Sequence, residues 1–298
     1  MATLVTGANG LCGSRIVARL AEEGEKVIAV ARGPRRFDLT DKIEFVDQDL
    51  LQPEKLGDLI LERRPSGVIN AGAMTDVDAS EKSPVECYTI NASSVAAAAN
   101  ACRLTGARFT HLSTDYVFDG EKGDYSEDDA PNPRGIYARS KRAGEEAALL
   151  LAGDRAVCRV AVIFTGRKGG KRTFALGVVE SFKARKPVKA FVDQIVSPTL
   201  ADNAAEMVIG VHRTGQQGIF HCTGASPVTR VQFCQELARK LGADEKLIEP
   251  VKLSELKLPA PRPLRCGLRV TKVQKLLGDA VPLQLSFALD RFLAELPR

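Results

Sequence analysis

The sequence predicts an α/β protein built on a doubly wound parallel sheet, with a smaller lobe toward its C-terminal end. Two observations carry that expectation. Short apolar runs alternate with amphipathic stretches through the first half of the chain, which implies parallel strands joined by right-handed crossovers, with helices on both faces. A glycine-rich turn, TGANGLCG at residues 6–13, stands between the first apolar run and the first amphipathic stretch. That is where a doubly wound sheet makes its first strand-to-helix turn.

Taken in order, ATLV (2–5) reads as the first strand and SRIVARLAEEG (14–24) as the helix after it. KVIAVA (26–31) is the second strand, expected beside the first, and IEFV (43–46) the third. PEKLGDLILERR (53–64) and VAAAANACRLTG (95–106) read as helices, and GVINAG (67–72), ARFTHLS (107–113) and VCRVAVI (157–163) as strands. After residue 165 the alternation breaks. The basic glycine segment TGRKGGKR (165–172) precedes a helix to about Lys186. LADNAAEMVIGVH (200–212) reads as a helix and GIFHC (218–222) as a strand returning to the sheet. The proline-rich LPAPRP (258–263) and a helix over LSFALDRFLAEL (285–296) are assigned to the smaller lobe. The expected division is a sheet domain over 1–165, rejoined by 199–222, and a second lobe from 166–198 and 223–298. No internal repeat or long linker is evident.

Composition bounds the function. At 298 residues, with 44% hydrophobic and 27% charged residues, the chain is an ordinary globular protein. No apolar run approaches the roughly 18 residues of a membrane span, and MATLVTGANG lacks the charged and apolar regions of a secretory signal. Seven cysteines without a C-x-x-C pair, and only three histidines, point to reduced thiols in a cytoplasm and to no metal site. The net charge of +5 gathers in clusters: Arg32, Arg35 and Arg36; Arg167, Lys168, Lys171 and Arg172; Lys183, Arg185, Lys186 and Lys189. Without tryptophan and with few aromatics beside them, these read as solvated faces or phosphate contacts, and no nucleic-acid or membrane partner is expected.

The chemistry begins at the glycine turn. Gly7 permits the tight turn, Gly10 lets the backbone approach a pyrophosphate, and Gly13 allows close helix–strand contact. The helix N-terminus adds unpaired N–H groups and a positive dipole end. Together they predict a dinucleotide in a Rossmann-type fold. The second strand runs into AVARGPRR (29–36), without an acidic residue to hold a ribose 2′-OH. Arg32, Arg35 and Arg36 stand there instead and favour a 2′-phosphate, hence NADPH over NADH; a solvated basic loop is the plain alternative. STDYVFDG (113–120) follows the fifth strand at the carboxyl edge, where open sheets bind ligands. Thr114 there could hold a substrate carbonyl and Asp115 accept from sugar hydroxyls, although an ordinary turn also uses these residue types. IYARSK (136–141) places Tyr137 and Lys141 four apart on one helix face. An ammonium beside a phenol favours the phenolate and lowers its pKa; an incidental surface pair is the alternative.

TGxxGxxG, NAGA (70–73), STDYVF and YxxxK, in that order, resemble an extended short-chain dehydrogenase/reductase. The closer resemblance is to the dTDP-4-dehydrorhamnose reductase family. It is carried by LVTGANGLCG (4–13), INAGAMTDVDASE (69–81), HLSTDYVFDG (111–120), IYARSKRAGEE (136–146), VDQIVSPT (192–199) and GIFHCTGA (218–225), which span most of the chain. The resemblance implies an NADPH-dependent reductase of a nucleotide-linked 4-keto-6-deoxy sugar. Tyr137 would be the general acid, Lys141 would lower its pKa and contact the nicotinamide ribose, and Thr114 would orient the carbonyl. The implied cofactor-binding residues are Gly7, Asn9, Gly10, Leu11, Gly13, Arg32, Arg35, Arg36, Asp49, Leu50, Ala71, Gly72 and Ala73, with Tyr137 and Lys141. The implied substrate-binding residues are Thr75, Val77, Asp115, Tyr116 and Arg262. No metal is implied, and Asn91 would help order the site.

Departures from the family pattern fall on substrate recognition. Met74 stands where the family usually has tyrosine, and Thr173 and Phe174 where it has an asparagine–phenylalanine pair. The late motif reads RPLRCGLR (262–269), so Arg265 and Arg269 replace a neutral and an acidic residue and are expected to tune the substrate; a surface helix start with solvated arginines is the even alternative. The regulatory β subunit of methionine adenosyltransferase is similar in fold, NADP binding and YxxxK element. On that alternative the chain is a binding partner for a methionine adenosyltransferase-like enzyme. A nucleotide-sugar epimerase would normally retain a tightly held NAD, which sets that third reading behind. A homodimer is compatible with either leading reading.

Overall fold

The computed structural model describes residues 2–167 and 172–296; Lys168, Lys171 and the glycines between them lie outside the described residues. β1 (Ala2–Thr6), α1 (Leu11–Glu22), β2 (Lys26–Ala31), β3 (Ile43–Asp47), α2 (Pro53–Arg63) and β4 (Gly67–Asn70) open the chain. Short helices α3 (Val77–Lys82) and α4 (Pro84–Tyr88) run through a π-helical turn at Thr89–Ser93 into α5 (Ser94–Thr105). β5 (Arg108–Thr114), α6 (Gly135–Leu151) and β6 (Arg155–Val160) follow. Next come β7 (Ile163–Phe164), α7 (Phe174–Lys183), β8 (Val188–Phe191), β9 (Ile195–Val196), β10 (Thr199–Leu200), α8 (Ala201–Thr214) and β11 (Gly218–His221). The chain finishes with β12 (Val228–Thr229), α9 (Arg230–Leu241), β13 (Ile248–Val251), α10 (Thr271–Leu277) and α11 (Leu285–Ala294).

Seven strands form one parallel sheet in the order β11-β6-β5-β4-β1-β2-β3. This is the Rossmann-type doubly wound arrangement, and β2 lies beside β1 as the sequence predicts. The order reverses between β1 and β4, so the loops at their carboxyl ends diverge and leave a crevice there. Alternate residues feed the two faces. Val5, Val27 and Ile69 meet α1 and α8 through Ile16, Val17, Leu20 and Val208. Leu4, Ile28 and Val68 meet α2, α5 and α6 through Leu56, Ile60, Val95 and Ala148. Each such aliphatic side chain, fully buried, contributes about 1.5–3 kcal/mol. A further core joins α7, α9 and α11 around Phe164, Phe233 and Phe292, whose rings meet edge to face.

Two expectations needed revision. The run 157–163 is not one strand: β6 ends at Val160, Val162 adopts a left-handed backbone with φ 43°, and β7 leaves to pair with β10. Helix α9 was not anticipated. It is started by a capping box in which Thr229 and Gln232 exchange side-chain and backbone bonds, and it is closed by Gly242 at φ 63°. Among the described residues, no helix is long and apolar enough to cross a membrane.

Candidate active site

The glycine turn is as tight as its sequence implies. Gly7 has φ 67°, and a Cβ on it would lie 2.6 Å from the Gly72 Cα. A Cβ on Gly13 would lie 2.2 Å from the Gly7 carbonyl oxygen, and the Gly10 N–H donates to that oxygen at 2.8 Å. Gly72 is covered by Leu50, whose Cδ1 would be 2.4 Å from an added Cβ. Leu11 opens α1 with no side chain capping its N–H groups, and Ala71 adjoins the turn, its carbonyl carbon 2.8 Å from where a Cβ on Gly7 would stand. This cradle, which a Cβ would fill, fits the diphosphate of a dinucleotide.

Asn9 ties the basic loop to the turn. Its amide donates to the carbonyls of Arg32 (3.3 Å) and Pro34 (3.0 Å), and its Oδ1 accepts the Arg36 N–H at 2.9 Å. Arg32 is exposed, 3.4 Å from Asp49, while Arg35 donates to the Phe37 carbonyl. Asp47 accepts the Gly33 N–H at 2.8 Å. The acidic residues missing from the end of β2 thus arrive from the end of β3.

Every residue of β5 is buried, and its last, Thr114, sits beside α6. The Thr114 hydroxyl donates to Asp115 Oδ1 at 3.0 Å and accepts the Tyr116 N–H at 3.2 Å, and it acts to lower the Tyr137 pKa. The Tyr116 and Tyr137 rings meet edge to face with centroids 5.6 Å apart. Asp115 Oδ2 is buried without a hydrogen-bond partner. Burial pushes the Asp115 carboxyl up to about 7, over the opposing bond from Thr114. Thr114, Asp115, Tyr116 and Tyr137 therefore converge, as the sequence suggested.

The expected electrostatics of the Tyr137–Lys141 pair are corrected. The phenol is not lowered but pushed up to about 12, by burial foremost and by the Asp115 carboxylate, with Thr114 acting the other way. Lys141, only 2% exposed, spends its Nζ elsewhere: it donates to the Leu112 carbonyl at 2.7 Å and lies 3.3 Å from His111 Nε2. Burial brings the Lys141 pKa down to about 8. A phenol that keeps its proton at neutral pH still has one to donate.

Asn91 sits in the π-helical turn and clamps Met74, accepting its N–H at 2.9 Å and donating to its carbonyl at 3.1 Å; it also donates to Ser140 on α6 at 3.0 Å. Thr75 and Val77 flank the start of α3. Arg262 holds Asp78 of α3 with two bonds, 3.0 and 2.7 Å. Arg265 donates to the Glu121 carbonyl and Arg269 pairs with Asp124 at 2.6 Å, so both help to hold the 119–125 loop. Arg265 also lines a cavity with Arg262, Asp119 and Asp193.

Two residues lay beyond sequence reasoning. Arg230, the first residue of α9, places its guanidinium over the Phe174 ring (4.8 Å) and brings positive charge to Tyr116 and Asp115. Glu145 on α6 is buried in a two-bond pair with Arg159 of β6, at 2.8 and 2.9 Å. Arg230 stands in none of the motifs above, and Glu145, although inside IYARSKRAGEE (136–146), is not one of that motif's tyrosine–lysine pair. Among the described residues, no group of three or more His, Cys, Asp or Glu is placed to hold a metal.

A family model described as RmlD substrate binding domain matches residues 1–297. The chain is 34% identical over 286 residues to the probable low-salt glycan biosynthesis reductase Agl14 of Haloferax volcanii, covering 95% of this chain and 94% of that one. It is 34% identical over 265 residues to the dTDP-4-dehydrorhamnose reductase of Mycobacterium tuberculosis, covering 87% and 82%. Among solved structures, the dTDP-4-dehydrorhamnose reductase of Bacillus anthracis in complex with NADP superposes with a TM-score of 0.85 at 26% identity, covering 99% of both chains.

Proposed function

Since the chain belongs to the RmlD substrate binding domain family and is an oxidoreductase of the extended short-chain type, we propose that it reduces the 4-keto group of a nucleotide-linked 6-deoxy sugar with NADPH. The observation that carries this reading is the convergence of Thr114, Asp115 and Tyr137 at the carboxyl end of β5. NADPH, when bound in the glycine cradle, supplies a hydride. Tyr137 Oη donates the proton that the keto oxygen needs, and Thr114 orients that oxygen. The unpartnered oxygen of Asp115 accepts a sugar hydroxyl. Lys141 serves the ribose side of the site, and Arg230 and Arg262 bring positive charge toward Tyr116, which suits a nucleotide diphosphate. The substrate lobe in this reading comprises 166–198 and 223–298, against a cofactor domain of 1–165 and 199–222.

Named substrates of the relatives support the sugar class, and the NADP complex of the B. anthracis protein supports the cofactor. The regulatory-subunit reading draws no support from them. The test is NADPH consumption by the purified protein with dTDP-4-dehydrorhamnose and with UDP- and GDP-linked 4-keto-6-deoxy sugars. Turnover of at least one supports the reading. A protein that binds NADPH and a methionine adenosyltransferase but reduces none of them would overturn it.

A further inference from the structure

We propose that Thr6, Asn70 and His111 form a hydrogen-bond relay that positions Lys141, with His111 presenting an N–H to Lys141 Nζ. The proposal rests on the reading above, in which Lys141 serves the reduction. The relay starts at the glycine crevice, where the Gly72 N–H donates to the Thr6 hydroxyl oxygen at 3.1 Å. Thr6 in turn donates its hydroxyl hydrogen to Asn70 Oδ1. That fixes the Asn70 amide, whose N–H then meets His111 Nδ1 at 2.9 Å. Nδ1 is thereby an acceptor, and a neutral imidazole with an accepting Nδ1 carries its hydrogen on Nε2. Nε2 faces Lys141 Nζ at 3.3 Å.

All of this is out of water: Thr6, Asn70 and His111 are fully buried. Burial first, and the Lys141 charge second, hold the His111 pKa well below its ordinary value, so the ring is neutral. Gly144 lets α6 pack closely here: a Cβ on it would lie 2.2 Å from the Asn91 carbonyl oxygen and 3.3 Å from His111 Nε2. Other groups also bear on Lys141. Glu145, on its own helix and paired with Arg159 and Arg142, favours the ammonium, as does Cys87 of α4. Tyr137 lies one turn back on α6, and the Leu112 carbonyl accepts from Nζ. The relay works against Glu145: an N–H aimed at Nζ is matched by an amine, which has a lone pair, and not by an ammonium.

The first test needs no variant. With only three histidines in the chain, ¹⁵N resonances of the imidazole nitrogens can be assigned, and His111 is expected to be protonated on Nε2 with Nδ1 bare. Protonation on Nδ1 would overturn the proposal. The second test is Thr6→Val, which removes the hydroxyl at constant charge and frees the Asn70 amide to turn over. Lys141 titration, followed by NMR of labelled lysine, should move up by about one unit, and the basic limb of the kcat profile should move with it while substrate KM stays. Thr6→Ser should restore both. An unmoved Lys141 titration in Thr6→Val would also overturn the relay. Because the resonances require no turnover, they separate the two readings. A chain with the expected tautomer and titration that reduces no keto-sugar would sink the reductase reading and leave the relay standing.

Discussion

Asp115 is the residue whose proton the fold controls most directly at the site. Its carboxyl is raised from 3.8 to about 7 because it is buried with one oxygen unpartnered. A raised acid pKa means that the folded state prefers the protonated form. The contribution of this group to stability is therefore fully present below about pH 4 and is lost as the pH rises through 7, by about 4 kcal/mol at most. Asp115→Asn removes this titration. The variant's Tm should gain on the wild type by several degrees between pH 4 and pH 8; a constant difference across that range would contradict the burial argument. At this scale the sequence is only partly legible. The spacing of Tyr137 and Lys141 reveals that both lie on one helix face, but not the direction of the phenol's shift. That direction depends on burial and on Lys141 finding Leu112 and His111, which come from another strand.

Among the elements, the glycine turn was the most legible, because each glycine answers to a close backbone contact. Gly13→Ala would place a Cβ 2.2 Å from the Gly7 carbonyl oxygen, so the turn must open. A loss of about 2 kcal/mol or more in urea unfolding is expected, with weaker NADPH binding. Gly153→Ala, where nothing lies within 4 Å, should stay within about 0.5 kcal/mol. Equal effects would mean that the turn is not close-packed. In the reading proposed above, the loop after β2 sets the cofactor choice. Its arginines are held in place by Asn9, and Arg32 is shared with Asp49. One charge-assisted bond to a 2′-phosphate is worth about 1.5–3 kcal/mol, so NADPH should bind at least about tenfold more tightly than NADH. Equal dissociation constants in parallel titrations would contradict it. Helix α9 did carry signals in the sequence, the Thr229–Gln232 box and buried Phe233, Cys234, Leu237 and Ala238 at helical spacing. The π-helical turn that aims Asn91 has none, since its residue types fit an ordinary helix.

Across the whole molecule, the sheet order follows from strand–helix alternation and the handedness of crossovers, so the crevice between β1 and β4 was foreseeable. The meetings across it were not. Thr6, Asn70, His111 and Lys141 come from β1, β4, β5 and α6, and Arg230 brings its charge toward Asp115 from α9. Such contacts depend on how the layers close, which local patterns do not encode. The central claim is that this closure makes Tyr137 the proton donor for keto-sugar reduction. It is tested most directly by measuring kcat with NADPH and a nucleotide-linked 4-keto-6-deoxy sugar for the wild type and Tyr137→Phe, alongside the NADPH Kd of each. The expected result is a kcat lower by about 10²–10⁴-fold with the Kd nearly unchanged; equal turnover by the two proteins would contradict the assignment.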